Sequence, residues 1–310
     1  MIRFGTGRKT EATEYPPIHE VLGIAPSSGS PWGSTRWKLL RRCPREFFLT
    51  QSGVVKSNHR EPALDYGIAY HHVLEVYYRA LQGGADHPGA VQEAWGALAP
   101  MREIPECAEM YSTLERMLVS YFELAANDRW RVIAVEEEIV YEGRDFNYSV
   151  RLDLLVEDLE RGGMWVVEHK SAQTITADLT AGYSLDLQVL GQIWIVQECV
   201  DLTQYPPFKG VIVNITSKQK VPQHQRVEVT ATRAHLAEWR KSVCALADME
   251  ALAERHGWPK ALGNCTGAPR YFKQCAFFDI CHGKPNMPVD NLDEYALPMG
   301  FVVDQNRKVR

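Results

Sequence analysis

The residues best equipped for chemistry are two acids and an amine arranged as D-x14-E-x-K: Asp153, Glu168 and Lys170. Both acids lie in runs that read as strands. In NYSVRLDLLVED the apolar Val150, Leu152, Leu154 and Val156 alternate with Ser149, Arg151, Asp153 and Leu155, so Asp153 falls on the less apolar face. In MWVVEHKSA, Glu168 and Lys170 are two apart and share a face, while His169 points the other way. Gly162 and Gly163 between the runs mark a turn. A hairpin closed so that Asp158 faces Gly163 sets Asp153 directly across from Glu168. Opposed Cβ atoms are about 4.5–5.5 Å apart, where two like charges are destabilising unless a cation lies between them. A hard divalent ion with oxygen ligands answers that need, and Mg²⁺ also keeps the waters that phosphate chemistry uses. Lys170 beside it is placed to orient or help deprotonate an attacking water and to offset charge on a pentavalent phosphate. The plain alternative is a polar hairpin face carrying a Lys–Glu surface pair.

Other ligand-type residues occur at helical spacing. YGIAYHHVLEVYY supplies His71 and His72, and a histidine ligand favours Mn²⁺ over Mg²⁺ relative to an all-oxygen site. The alternative is a pair of half-buried helix histidines. LDLQVLGQIWIV presents Gln188 and Gln192 four apart on one face, which is also what a helix merely packed on a sheet would show. Of the 7 cysteines, Cys107, Cys199 and Cys244 sit in apolar helical patterns and read as packing residues. The other four are Cys43, in RRCPREFFL, and Cys265, Cys275 and Cys281, spaced C-x9-C-x5-C. Grouped thiolates select Zn²⁺ or an iron–sulfur cluster, and a [4Fe-4S] cluster takes four. Structural zinc fits less well because its usual C-x2-4-C pairs are absent; unligated thiols are the remaining alternative.

These groups depend on the elements that carry them. Residues 1–33 are rich in Gly, Pro, Ser and Thr and read as a flexible lead-in. Ser34 caps a helix through Trp37 and Leu40, and Pro44 restarts the chain helically just after Cys43. Spacings of three and four predict helices over 64–82, 89–98 and 106–126. Strands follow at 132–141, 148–156 and 165–169, then a helix over 184–200 with Leu185, Val189, Ile193 and Val196 on one stripe. Strands at 210–215 and 226–230 precede a long helix over 233–256. The pattern predicts one α/β domain over 34–284: a helical part (34–128), an α/β core (129–232), and a final helix with a cysteine segment (233–284). Residues 285–310 read as a tail.

With 310 residues, 45% of them hydrophobic, the chain can bury a sizeable core, which excludes a disordered or fibrous protein. Lys and Arg total 34 against 39 Asp and Glu, so any nucleic-acid site is a local patch rather than a polycationic surface. Arg36, Lys38, Arg41, Arg42 and Arg45 form one candidate patch for phosphates, or a solvated helix face. No run of about 18 apolar residues predicts a membrane span and the opening segment lacks a secretory pattern, so a soluble, cytoplasmic protein is expected. There is no G-x-x-x-x-G-K-[ST] loop, so an ATP-driven motor would be a separate chain.

Taken in order from about Ser34 to Cys281, these motifs resemble the PD-(D/E)XK nucleases, and within them the RecB-like branch that includes CRISPR-adaptation exonucleases, the AddB nuclease domain and phage-encoded relatives. The resemblance implies a restriction-endonuclease-like core, a central mixed β-sheet flanked by helices. It implies Asp153 and Glu168 as metal ligands, a further contact from the His169 carbonyl, and Lys170 as the catalytic lysine. The G-x-x-x-H-x-x-L-E helix of that branch matches Gly67, His71, Leu74 and Glu75, making His71 a ligand, with His72 the nearby alternative. Gln188 matches the glutamine of the branch's Q-x-x-x-Y, whereas Gln192 stands where tyrosine is expected. Cys43, Cys265, Cys275 and Cys281 match, with altered spacing, the iron–sulfur staple of some members. The implied activity is Mg²⁺- or Mn²⁺-dependent hydrolysis of DNA, by an exonuclease acting on single-stranded or frayed ends, alongside a separate helicase, recombination or CRISPR-adaptation partner. The competing expectation is a DNA-binding or assembly factor that keeps the fold without turnover.

Overall fold

Helices build the first part of the chain. The structure, a computed structural model, describes residues 15–25, 30–56, 62–261, 263–265, 274–283 and 301–303. A short α1 (Ile18–Val21) buries Ile18 against the helical layer, so this part of the lead-in is docked. Next come α2 (Ser34–Arg42), α3 (Pro44–Gln51) and the short strand β1 (Val54–Lys56). Pro44 opens α3, where its missing N–H costs nothing, and Cys43 is the extended residue between the two helices. The three predicted long helices follow as α4 (Pro62–Gln82), α5 (His87–Arg102) and α6 (Ala108–Ala125).

The sheet comes next. β2 (Trp130–Glu142), β3 (Asn147–Asp158) and β4 (Met164–Ala172) run antiparallel, and β5 (Phe208–Ser217) lies parallel to β4. A parallel neighbour requires a crossover, supplied by α7 (Ala177–Gly182), a 3-10 turn and α8 (Leu187–Cys199). β6 (His224–Val229) completes the order β2-β3-β4-β5-β6, and α9 (Arg233–His256) follows. The β3–β4 turn is the expected one: Gly162 and Gly163 both have positive φ, and Asp158 N–H bonds to the Gly163 carbonyl at 3.0 Å.

Each face of this mixed sheet is covered. On one side, α4, α5 and α6 pack with Leu154, Val156, Val167 and Ile212. On the other, α2, α8 and α9 pack with Val150, Leu152, Val166 and Val213. Gly191 lets α8 lie close to β3: a Cβ there would sit 2.0 Å from the hydroxyl of Tyr148, which is fully buried. A third, smaller cluster joins Leu49 and Val54 to Cys275, Phe277, Ile280 and Phe301. It contains α10 (Phe278–Gly283) and β7 (Phe301–Val303), and β7 pairs antiparallel with β1, so a segment read as tail supplies a strand. Among the described residues no helix is long and apolar enough to cross a membrane.

Two sequence expectations fail in α8. The helix begins at Leu187 rather than 184, because the Asp186 carboxylate accepts from Gln188 N–H (2.8 Å) and Val189 N–H (3.3 Å) and so caps it. Leu185, left in the preceding turn, is exposed instead of continuing the apolar stripe. Cys199 is likewise exposed, since the buried run of α8 ends at Val196. Cys107 is buried and Cys244 half-buried against the second core, as packing residues would be.

Candidate active site

The β3–β4 ladder runs from Glu157↔Met164 to Leu154↔Val167 and stops there. The register is the one the glycine turn dictates, but Asp153 and Glu168 lie one step past the last paired residues. The strands part at that point. The Asp153 carboxylate accepts the His169 backbone N–H at 2.7 Å through Oδ2, and its Oδ1 lies 3.4 Å from Nδ1 of His71 on α4. His72, by contrast, lies 4.0 Å from Glu75, so of the two histidines it is His71 that meets Asp153.

Glu168 is almost fully buried and surrounded by donors. Its Oε1 accepts from the Lys170 ammonium and from Gln188 Nε2 (2.7 Å), and its Oε2 accepts from Gln192 Nε2 (2.5 Å). Gln188 Oε1 in turn accepts from Lys170 at 3.1 Å. The two glutamines of α8 are thus brought to one carboxylate by the Asp186 cap, which starts the helix, and by the close approach that Gly191 permits. Gln192 is fully buried, and its Oε1 has no hydrogen-bond partner among the described residues.

Charges in the site reinforce one another. Burial works against a protonated His71, but Asp153, by charge and by contact, lifts its pKa from 6.5 to about 9. Burial would raise Asp153, yet His71 beside it, with His169 and Lys170, holds the carboxyl down at about 2. Burial also opposes the Lys170 ammonium, and Glu168 and Asp153 overcome that and push its pKa up. His169 faces the other side of the sheet, stacked on Tyr78 at 5.6 Å with Asn214 at its Nδ1, and burial drives its pKa down to about 3.

One acid in the site escaped the sequence motifs. Among the described residues, the His71, Glu136 and Asp153 ligand atoms form a set within 4.8 Å of one another. Glu136 lies on β2 and has a positive φ of 50°. The β2–β3 register shifts by one residue between Val132 and Ala134, and only because of that shift does Glu136 stand across from Asp153, between Val135↔Leu154 and Glu137↔Leu152. Burial, then the Asp153 charge, pushes the Glu136 carboxyl up to about 7. In sequence Glu136, Glu137 and Glu138 are three consecutive acids, with nothing to single out the first. One imidazole nitrogen with two carboxylates is a donor set suited to a divalent ion such as Mn²⁺ or Mg²⁺, so the residues present fit the metal that this fold implies.

The basic segment is largely engaged in ion pairs. Arg36 pairs with Glu250, Lys38 with Asp186 at 2.8 Å and Arg42 with Glu46 at 2.8 Å, while Arg45 is buried and Arg41 exposed. Farther off, the four grouped cysteines lie at one junction. Cys43 Sγ accepts from Ala261 N–H at 3.5 Å, and Cys275 N–H bonds to the Cys265 carbonyl at 2.7 Å. Burial raises the Cys281 thiol pKa; Lys260 and Arg45 lower it, and Cys43 and Cys265 add to the rise.

A five-stranded mixed sheet between two helical layers, with an acid and an acid-x-lysine where its central hairpin opens, defines a nuclease of the restriction-endonuclease-like α/β fold. The family model of the PD-(D/E)XK nuclease superfamily matches residues 31–282, and the chain belongs to that superfamily of metal-dependent nucleases. Among solved structures it is similar to a candidate exonuclease from Eubacterium rectale, at 11% identity and a TM-score of 0.48, covering 83% of this chain and 89% of that one. It is also similar to SSO0001, at 14% identity and a TM-score of 0.36, covering 86% and 93%. No curated protein matches the chain.

Proposed function

We propose that this chain is a Mg²⁺- or Mn²⁺-dependent DNA nuclease of the RecB-like branch, an exonuclease working on single-stranded or frayed ends. The observation that carries the reading is the meeting of Asp153, His71, Glu168, Lys170 and Gln188 where β3 and β4 part, each held by named partners. Asp153 and His71 would hold the cation; the superfamily resemblance adds Glu168 and the His169 carbonyl as contacts, and in this structure both Glu168 oxygens accept from Lys170, Gln188 and Gln192. When bound, the cation polarises a water and neutralises charge on the scissile phosphate. Deprotonated Asp153 would be available to it at neutral pH, and His71 would have to give up its proton to serve as a ligand. Lys170, kept protonated by its carboxylate neighbours, acts as a donor and charge offset toward a phosphate oxygen or the attacking water rather than as a base. Gln188 and Gln192 fix Glu168, which fixes the Lys170 ammonium. The reading includes a [4Fe-4S] cluster on Cys43, Cys265, Cys275 and Cys281. Their common junction, which joins the early helices to the late segment, supports it.

The test uses end-labelled single- and double-stranded DNA with Mg²⁺ or Mn²⁺. The wild-type chain degrades it from the ends, and Asp153→Asn or Lys170→Met each lowers the rate by roughly 10²–10⁴-fold with the far-UV spectrum unchanged. DNA binding without cleavage by the wild-type chain overturns the nuclease reading in favour of a non-catalytic DNA-binding factor.

A further inference from the structure

Glu136 is half-buried at the centre of the sheet's edge region, and its surroundings are unusual for an acid there. The charged groups that act on it are Asp153 and Glu75, both acids, with His71 and Arg151. Among the described residues no lysine or arginine forms an ion pair with it, and no donor hydrogen-bonds its carboxylate. Two carboxylates directly opposed on neighbouring strands repel one another unless a cation joins them. The third member of the set, His71, contributes an imidazole nitrogen from the helical layer, so donors converge from α4, β2 and β3 on one point. Ligand atoms bound to one divalent ion at about 2.0–2.6 Å lie within about 5 Å of one another, which this set satisfies as it stands. Glu168 is differently placed: both its oxygens are already taken by Lys170, Gln188 and Gln192.

We propose that Glu136 is a ligand of the catalytic cation, forming with His71 and Asp153 a three-sided seat fed from three different elements. This rests on the metal-dependent reading above and adds a donor from a strand that the D-x14-E-x-K motif does not contain. Glu136 also brings a second negative charge to the seat, so a cation binds there before any DNA phosphate supplies oxygens of its own.

Mn²⁺ binding to the purified full-length chain, followed by calorimetry and by the loss of the free-ion EPR signal without DNA, tests the proposal. Glu136→Gln weakens binding by at least about tenfold, the scale on which even outer partners of a metal ligand act. Glu138→Gln, an exposed neighbour on the same strand, binds Mn²⁺ as the wild type does. The thermal midpoint separates ligation from a structural role. Without metal, Glu136→Gln melts at or above the wild-type temperature because one of two facing carboxylates is gone, and Mn²⁺ then raises it less. A lower metal-free midpoint with an undiminished Mn²⁺ shift overturns the proposal. Wild-type affinity in Glu136→Gln alongside loss of binding in Asp153→Asn overturns Glu136 as a ligand and leaves the nuclease reading standing. Wild-type affinity in both variants overturns the seat and, with it, the metal assignment.

Discussion

Replacing Gln192 by leucine isolates the part of the site that is held by burial rather than by charge. The side chain is fully buried, and its one strong contact is the 2.5 Å hydrogen bond to Glu168 Oε2. A hydrogen bond to a charged group contributes about 1.5–3 kcal/mol, and its loss here strands one oxygen of a buried carboxylate. An opposing contribution comes from Gln192 Oε1, which is buried without a partner among the described residues, so removing it returns about 1 kcal/mol. The net cost is about 0.5–2 kcal/mol, which for a domain of this size lowers the melting temperature by about 1–8 °C. Thermal unfolding followed by circular dichroism, without metal and near neutral pH, reads this directly. Repeating the substitution in a Glu168→Gln background removes the charge, and the increment there falls to within about 0.5 kcal/mol of zero. A melting temperature within about 1 °C of wild type, or equal increments in the two backgrounds, refutes the reasoning.

Gly191→Ala pushes a methyl group into the Tyr148 hydroxyl, 2.0 Å from the new Cβ, and costs about 1–3 kcal/mol by overpacking although alanine is the better helix former; an unchanged midpoint in a denaturant titration contradicts it. His71→Ala tests the His71–Asp153 pair through pH. A histidine lifted from 6.5 to about 9 contributes stability that is full below about pH 6.5 and lost as pH rises through about 9, so the melting-temperature gap between wild type and variant, without metal, narrows from about pH 6 to about pH 10; a constant gap contradicts the pairing. Purified anaerobically, the chain is brown with broad absorbance near roughly 400 nm, and Cys275→Ser bleaches and destabilises it; a colourless, iron-free and equally stable wild type removes the cluster but not the nuclease.

Much of this architecture is written locally. Two adjacent glycines fix the β3–β4 register by closing the turn between Asp158 and Gly163, although the alternation before it does not keep one face: Leu154 and Val156 enter one core and Val150 and Leu152 the other. The helices α4, α6 and α9 likewise declare themselves by spacing, to within a few residues. What stayed hidden depends on longer-range geometry. The bulge between Val132 and Ala134 decides which of three consecutive glutamates meets Asp153, and an alternation count cannot locate an extra residue. The start of α8 is ambiguous in sequence because Ser184 and Asp186 are both good caps, and the backbone donors of Gln188 and Val189 choose Asp186. The meaning of Gln192 was likewise invisible: a glutamine on an apolar helix looks out of place until Glu168 is seen to need it. The strands β1 and β7, three residues each and far apart in sequence, carry no local signal at all.

That last pairing has a consequence for how the molecule comes into being. Among the described residues, Val54 to Lys56 find their β-sheet neighbours in Phe301 to Val303, so on a ribosome the early strand waits, edge open, until that distant segment is made. The helical layer and the five-stranded sheet use residues that precede Cys265, Cys275 and Cys281, so they can close ahead of the junction that holds those cysteines and Cys43. Any maturation that uses all four thiols therefore follows the emergence of Cys281, and a chain interrupted before that residue holds the sheet and helical layers with the clasp unfinished.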